Sequence, residues 1–238
     1  MKKLFCLSLS LMMIISLASC SGNDNTTSSS ENSNSNSAAE QQSENHMEIT
    51  LENVMAHEVS PESDFETVVA YGYGEALSDI DESNSVVITG YNGNDDIVVI
   101  PETIDGKSVV AIDGYAFGTE EMKVKAVKLS DSVELIQRVA FMNNKSIEIV
   151  VCGNGLKTIE KEAFWFCENL REVVFNDGLE SIGESAFQYT DITEITVPES
   201  VTEIEDNAFD YSVKIKGKAG SATEEYAANH EITFEAID

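Results

Sequence analysis

The sequence predicts a mainly β solenoid, a coil of stacked units of about 23 residues with short strands, short helical turns and little α-helix. Two observations carry this. The dipeptide Ala-Phe recurs at Ala116-Phe117, Ala140-Phe141, Ala163-Phe164, Ala186-Phe187 and Ala208-Phe209, and the steps between the phenylalanines are 24, 23, 23 and 22 residues. Other apolar residues hold the same offsets around each dipeptide, so a single unit presents an apolar face that only its neighbours can cover.

The front of the chain reads as an address. Met1 to Ser19 places Lys2 and Lys3 before a mostly apolar run, Leu4 to Leu17, too short to span a bilayer with its flanks. It ends in Leu17-Ala18-Ser19-Cys20, a lipobox, so residues 1–19 read as a lipoprotein signal peptide and Cys20 as the lipidated first residue after cleavage. Two acyl chains on Cys20 would anchor stably where one binds only marginally. Residues 20–45 are nearly all Ser, Asn, Thr, Glu, Gln, Asp and Ala without apolar periodicity, and read as a disordered polar tether.

Residues 46–96 read as an N-terminal cap region. Thr50-Leu-Glu-Asn-Val-Met-Ala-His57 has the form of one short amphipathic helix with Thr50 as its cap. Phe65 to Tyr71 and Ser85 to Gly90 read as strands separated by the acidic loop Leu77 to Asn84.

The repeats occupy residues 97–212, with five Ala-Phe units. One reads Val124-x-x-Val127-x-Leu129, Val133, Ile136, Ala140-Phe141, and the next Ile147-x-x-Val150-x-Cys152, Leu156, Ile159, Ala163-Phe164. Leu170-x-x-Val173-x-Phe175 and Ile192-x-x-Ile195-x-Val197 open the following two in the same way. The alternation apolar-x-apolar is that of a half-buried strand. Small Ala fits the inside of a bend and Phe fills the centre of the stack. The first unit departs from the pattern: Ile100 and Val109 are separated by an extra stretch, Glu102 to Lys107, whose Asp105-Gly106 marks a protruding hairpin.

Residues 213–238 read as a C-terminal cap. Val213-x-Ile215 begins a unit that never reaches an Ala-Phe. Ser221-Ala-Thr-Glu224 has capping-box form ahead of a short helix, Thr223 to Asn229, and Ile232 to Ile237 forms a last strand.

With these motifs in view, the chain resembles the BspA-like class of leucine-rich repeats. The resemblance rests on Leu170-Arg-Glu-Val-Val-Phe175 with Leu179-Glu-Ser-Ile-Gly-Glu-Ser-Ala-Phe187, on Ile195-Thr-Val-Pro-Glu-Ser-Val-Thr-Glu-Ile204, on Val86 to Gly93 with Ile97 to Gly106, and on Gly220 to Ala228. It covers roughly residues 84 to 238. The resemblance implies a right-handed solenoid on a bacterial cell surface, often an adhesin for host or microbial proteins. Cys152 stands at a strand position that is usually aliphatic, and Gln137 and Glu160 stand where another unit has Gly183.

The formal net charge of −29 argues against nucleic acid and anionic lipid as direct ligands, since like charges repel across a Debye length of roughly 8 Å. The membrane is then met only through the lipid anchor. On the strand face, positions expected to point outward carry Lys125, Lys128, Arg171, Lys214 and Lys216, and between them lie Ile149, Val151 and Val174. An exposed apolar stripe flanked by cations on an acidic body is a candidate site for an extracellular or surface protein. The competing reading makes the three apolar residues ordinary strand formers covered by neighbouring side chains. Cys152 and Cys167 are expected as buried free thiols in different parts of the coil.

The three histidines, His46, His57 and His230, are far apart, and no nucleophile elbow, zinc-protease motif or phosphate loop occurs. Gly183-Glu-Ser185 belongs to the repeat ladder. The acidic loops Asp79 to Glu82 and Asn92 to Asp96 lack the twelve-residue calcium-loop form. Trp165 reads as a partly exposed packing residue rather than a sugar platform. No catalytic residue, metal site or cofactor is expected, and the chain reads as a monomer. Two readings remain: a lipid-anchored surface module that binds an extracellular protein through the strand face, and a structural, spacer or glycan-binding surface lipoprotein.

Overall fold

The computed structural model describes residues 48–73, 77 and 80–237; the signal peptide, Cys20, the tether, His46 and Asp79 lie outside the described residues. Ahead of the coils come α1 (Leu51–Ala56), β1 (Phe65–Val69) and β2 (Ser85–Tyr91). Next are β3 (Ile97–Val99), β4 (Thr103–Ile104) and β5 (Lys107–Ile112). Four pairs of strands follow: β6 (Ala126–Lys128) and β7 (Leu135–Ile136), β8 (Ile149–Val151) and β9 (Thr158–Ile159), β10 (Glu172–Val174) and β11 (Ser181–Ile182), β12 (Glu194–Thr196) and β13 (Glu203–Ile204). The chain closes with β14 (Lys214–Lys218), α2 (Ala222–Asn229) and β15 (Thr233–Ile237).

The second strands of the coils join β1 and β2 in one sheet, ordered β1-β2-β5-β7-β9-β11-β13 with β4 on β5. The first strands build the opposite ladder, here called the strand face, in two pieces: β3-β6-β8-β10 and β12-β14-β15. Pairing is parallel except for β1 with β2 and the hairpin β4–β5. That hairpin turns at Asp105 and Gly106, both at positive φ, as Asp-Gly predicts.

The Ala-Phe corners supply the core. Phe117, Phe141, Phe164, Phe187 and Phe209 are buried and stack ring on ring at 5.0, 4.7, 5.1 and 5.4 Å, with interplanar angles of 15° or less. Tyrosines end the ladder on both sides: Tyr91 lies on Phe117, and Tyr226 meets Phe209 edge-on. A phenol suits an end because its hydroxyl can leave the core. The Tyr91 hydroxyl donates to Asp95 and the Tyr226 hydroxyl accepts from the Phe209 N–H. Burial pushes the Tyr91 phenol up to about 12.

Two residues before each Phe, the backbone turns through positive φ, at Tyr115, Val139, Glu162, Ser185 and Asn207. The tight corner demands it, and only Asn207 is a residue type that favours that region. Three residues after Phe141, the buried Asn144 amide donates to Phe117 C=O and accepts from the N–H groups of Ser146 and Ile147. Cys167 holds the equivalent place after Phe164, and its thiol donates to Phe141 C=O at 3.1 Å. Both Cys152 and Cys167 are free and buried, and burial pushes each thiol up to about 12.

Thr50 caps α1 by accepting from the Asn53 N–H. α1 does not lie at the end of the coil: it packs on the strand face, while β1 covers the end by pairing with β2. Ser221 caps α2, which starts one residue earlier than the sequence suggests. The Glu224 carboxylate accepts from the Gly220 N–H instead of closing the box on Ser221.

Candidate functional site

Register sets which side chains share the strand face. Ala126, Ile149 and Glu172 form one row across β6, β8 and β10, and Lys128, Val151 and Val174 the next. Across β12, β14 and β15 the rows are Glu194, Lys214 and Thr233, then Thr196, Lys216 and Glu235.

The expected exposed stripe is corrected at its centre. Ile149 is 0 % and Val151 5 % exposed, because Ile49, Leu51 and Val54 of the α1 segment pack on them together with Ile97, Ala126 and Val174. Removing this apolar area from water is what holds so short a helix in place. Two of the predicted cations grip the same segment. Arg171 donates to Ile49 C=O at 2.7 Å and pairs with Glu148, while Lys128 donates to Met55 C=O in the last turn of α1, where carbonyls lack helical partners. Lys125 pairs with Asp96 at 2.7 Å. The surface identified from sequence as a partner site is therefore occupied, over β6 and β8, by the chain's own N-terminal segment.

Beyond Val174, which is only half-buried, the strand face is open. Lys214 sits between Glu235 and Glu194, and Lys216 pairs with Glu194 at 2.5 Å. The hydrogen bond from Lys216 lowers the Glu194 carboxyl below its ordinary range, and the bond from Lys214 does the same for Glu235.

Sequence reasoning missed a break in this face. β10 and β12 are neighbours in the coil but are not hydrogen-bonded to each other. The N–H groups of Arg171 and Glu172 both donate to Glu148 C=O, as those of Glu148 and Ile149 do to Lys125 C=O. At the next coil the pattern lapses, and Asp191 N–H reaches Leu170 C=O instead. A signal existed in the spacing: the step from Phe187 to Phe209 is the shortest, and four residues separate Phe187 from Ile192 where five separate Phe164 from Leu170. Between the two strands lies a cleft of about 610 Å³ with Val173, Val174, Phe175, Ile195 and Val197 among its apolar walls.

Among the described residues, no group of three or more His, Cys, Asp or Glu side chains could hold a metal ion, and no helix is long and apolar enough to cross a membrane. His57 and His230 do not meet; His230 stacks on Tyr226. Trp165 packs edge-on against Phe166, which stacks on Tyr189.

Two parallel ladders wound around one phenylalanine stack define a leucine-rich-repeat solenoid, a fold that is in general a non-enzymatic repeat scaffold. The family described as the BspA type leucine rich repeat region matches residues 98–216 in six copies, and the chain belongs to it. Among solved structures, the chain is similar to the leucine rich repeat protein of T. pallidum, with 26 % identity and a TM-score of 0.58 over 67 % of this chain and 71 % of that one. A leucine-rich repeat protein from Bacteroides ovatus shares 32 % identity with a TM-score of 0.50, over 57 % of this chain and 37 % of its own length. No curated protein matches the chain.

Proposed function

We propose that this chain is a lipid-anchored bacterial surface module that binds an extracellular host or microbial protein through the part of the strand face left open by α1. The observation that carries this reading is the division of that face. α1 seals the stripe over Ile149 and Val151, while Val174, Lys214, Lys216 and the strands around them remain accessible. The lipobox at Cys20 and the polar residues that follow support an anchored, displayed domain. Membership of a surface-associated repeat family agrees with it.

Immobilised chain presented with purified extracellular-matrix proteins and with surface proteins of neighbouring microbes tests the reading. Saturable capture of one protein, lost on Lys214→Glu with Lys216→Glu, is the expected result. Binding confined to polysaccharide arrays would instead favour the glycan-binding alternative.

A further inference from the structure

We propose that α1 is a force-released strap: a pull arriving through residues 20–47 peels residues 48–59 from the strand face before any coil opens. The proposal rests on the anchored-surface reading above, which supplies the pull, and adds what that pull does first. Residues 20–47 join Cys20 to Glu48, so in an anchored chain holding a partner the load enters the fold at Glu48 and Ile49. From there the strap crosses the strands against chain order. Arg171, just ahead of β10, holds Ile49 C=O, and Val54 packs with Ile149 and Val151 of β8. Lys128 of β6 holds Met55 C=O. Ser60 ends the strap on β3, where its N–H donates to Val99 C=O and its Oγ accepts from the Val99 N–H, both at 3.0 Å. Those strands stand in the order β10-β8-β6-β3, so a pull at Ile49 loads the contacts one after another instead of together.

The strap is also the part of the fold least tied to the rest. Its apolar cluster is separate from the phenylalanine core, so its departure opens no hole there. Met55 to Val59 are exposed, and extending them sacrifices no packing. A helix of six residues does not persist once its contacts go. Past Ser60 the resistance changes in kind: β1 pairs with β2 over five residues, and the sheet of second strands runs unbroken to β13. Segments with few buried contacts open first, and under load the lowest barrier opens soonest. Release yields slack between membrane and coil. It also uncovers Ile97, Ala126, Ile149 and Val151, which lie in the same apolar cluster as Val174 at the edge of the open strand face.

The test holds the full chain in an optical trap between handles at His46 and at Asp177, an exposed turn residue beyond β10. The expected trace begins with a reversible lengthening of at most about 40 Å, residues 48–59 at about 3.5 Å each, at a lower force than every later step. Opening of one coil of about 23 residues gives about 80 Å instead. Val54→Asp should abolish the short step and keep the later ones, and Arg171→Ala should lower its force. A first step of coil length, or a short step that persists unchanged in Val54→Asp, overturns the proposal. Labelling with radioactive palmitate in the expressing bacterium, compared with Cys20→Ser, tests the source of the pull separately. Label missing from Cys20 overturns the anchored reading and the natural pull with it. Label present without the short step overturns the strap and leaves that reading standing.

Discussion

Replacing Val54 with Asp should release α1 from the strand face while leaving the coil folded. Val54 is 0 % exposed and packs with Ile49, Ile149 and Val151 in an apolar cluster separate from the phenylalanine core. Burying a carboxylate there without a partner costs several kcal/mol, more than the burial of one valine contributes, about 1.5–3 kcal/mol. The helix has six residues and cannot stand alone, so it leaves as a unit. The loss of stability is then capped at the docking free energy of that segment. Val54→Ala removes less, about 1–2 kcal/mol, which for a folded unit of this size lowers Tm by about 2–4 °C per kcal/mol. Hydrogen exchange resolved by peptide is the assay. Residues 48–56 should lose protection in Val54→Asp while peptides spanning Phe141 and Phe164 keep theirs. Unchanged protection over 48–56, or loss spread evenly through the coils, would refute the argument that α1 is a separately docked element.

Other consequences can be checked alongside it. Ile149→Ser should destabilise the chain by about 2–4 kcal/mol in urea unfolding, because it combines lost burial with a hydroxyl under α1, whereas Val174→Ser should cost less than about 1 kcal/mol. Phe164→Ala, at the tightest step of the ladder, should cost about 3–5 kcal/mol and broaden the transition, since it leaves a hole between Phe141 and Phe187. Val139→Asn should raise Tm, because a β-branched residue at φ 58° carries strain of about 1–2 kcal/mol that Asn relieves; an unchanged Tm would show the corner to be unstrained. Glu194 and Glu235 have lowered folded values, so their stabilisation is complete above the unfolded value and is lost as the pH falls through the folded ones. The advantage of the natural chain over Lys214→Met in urea midpoint should therefore shrink below pH 4.5.

The coil was legible in the sequence because each rung repeats a physical requirement. Phe at the corner, Ala beside it and an inward Val or Ile on the strand recur at fixed offsets, and those residues form one buried cluster. The partner stripe was half legible. Both members were visible, an amphipathic segment at Thr50 to His57 and an apolar stripe at Ile149 and Val151, but periodicity says nothing about which distant faces meet. Arg171 donating to Ile49 C=O joins residues 122 positions apart, a distance no local pattern spans. The break beside β10 was written as a one-residue deletion after Phe187, yet a shorter turn has several structural outcomes. The turn after Phe209 is shorter still, yet β12 pairs with β14, so only the hydrogen bonds show where the pairing lapses.

That partition places the interruption on the strand face and leaves the core continuous. The phenylalanine spacing changes little at the break, 5.1 Å at the step before it and 5.4 Å across it, so stacking does not depend on every first strand being paired. The sheet of second strands runs unbroken from β1 to β13 and holds the coils in order behind the gap. A rigid back with a divided front keeps two unpaired edges a fixed distance apart, which an isolated hairpin could not do. Widening the defect should leave the fold intact, because the second-strand sheet and the phenylalanine stack continue behind it. Restoring a residue between Phe187 and Ile192 should instead allow Phe175 N–H to bond Thr196 C=O and close the cleft. Protection of the Phe175 amide against exchange measures that directly, and an amide that stays unprotected after the insertion would place the cause of the break elsewhere than in the shortened turn.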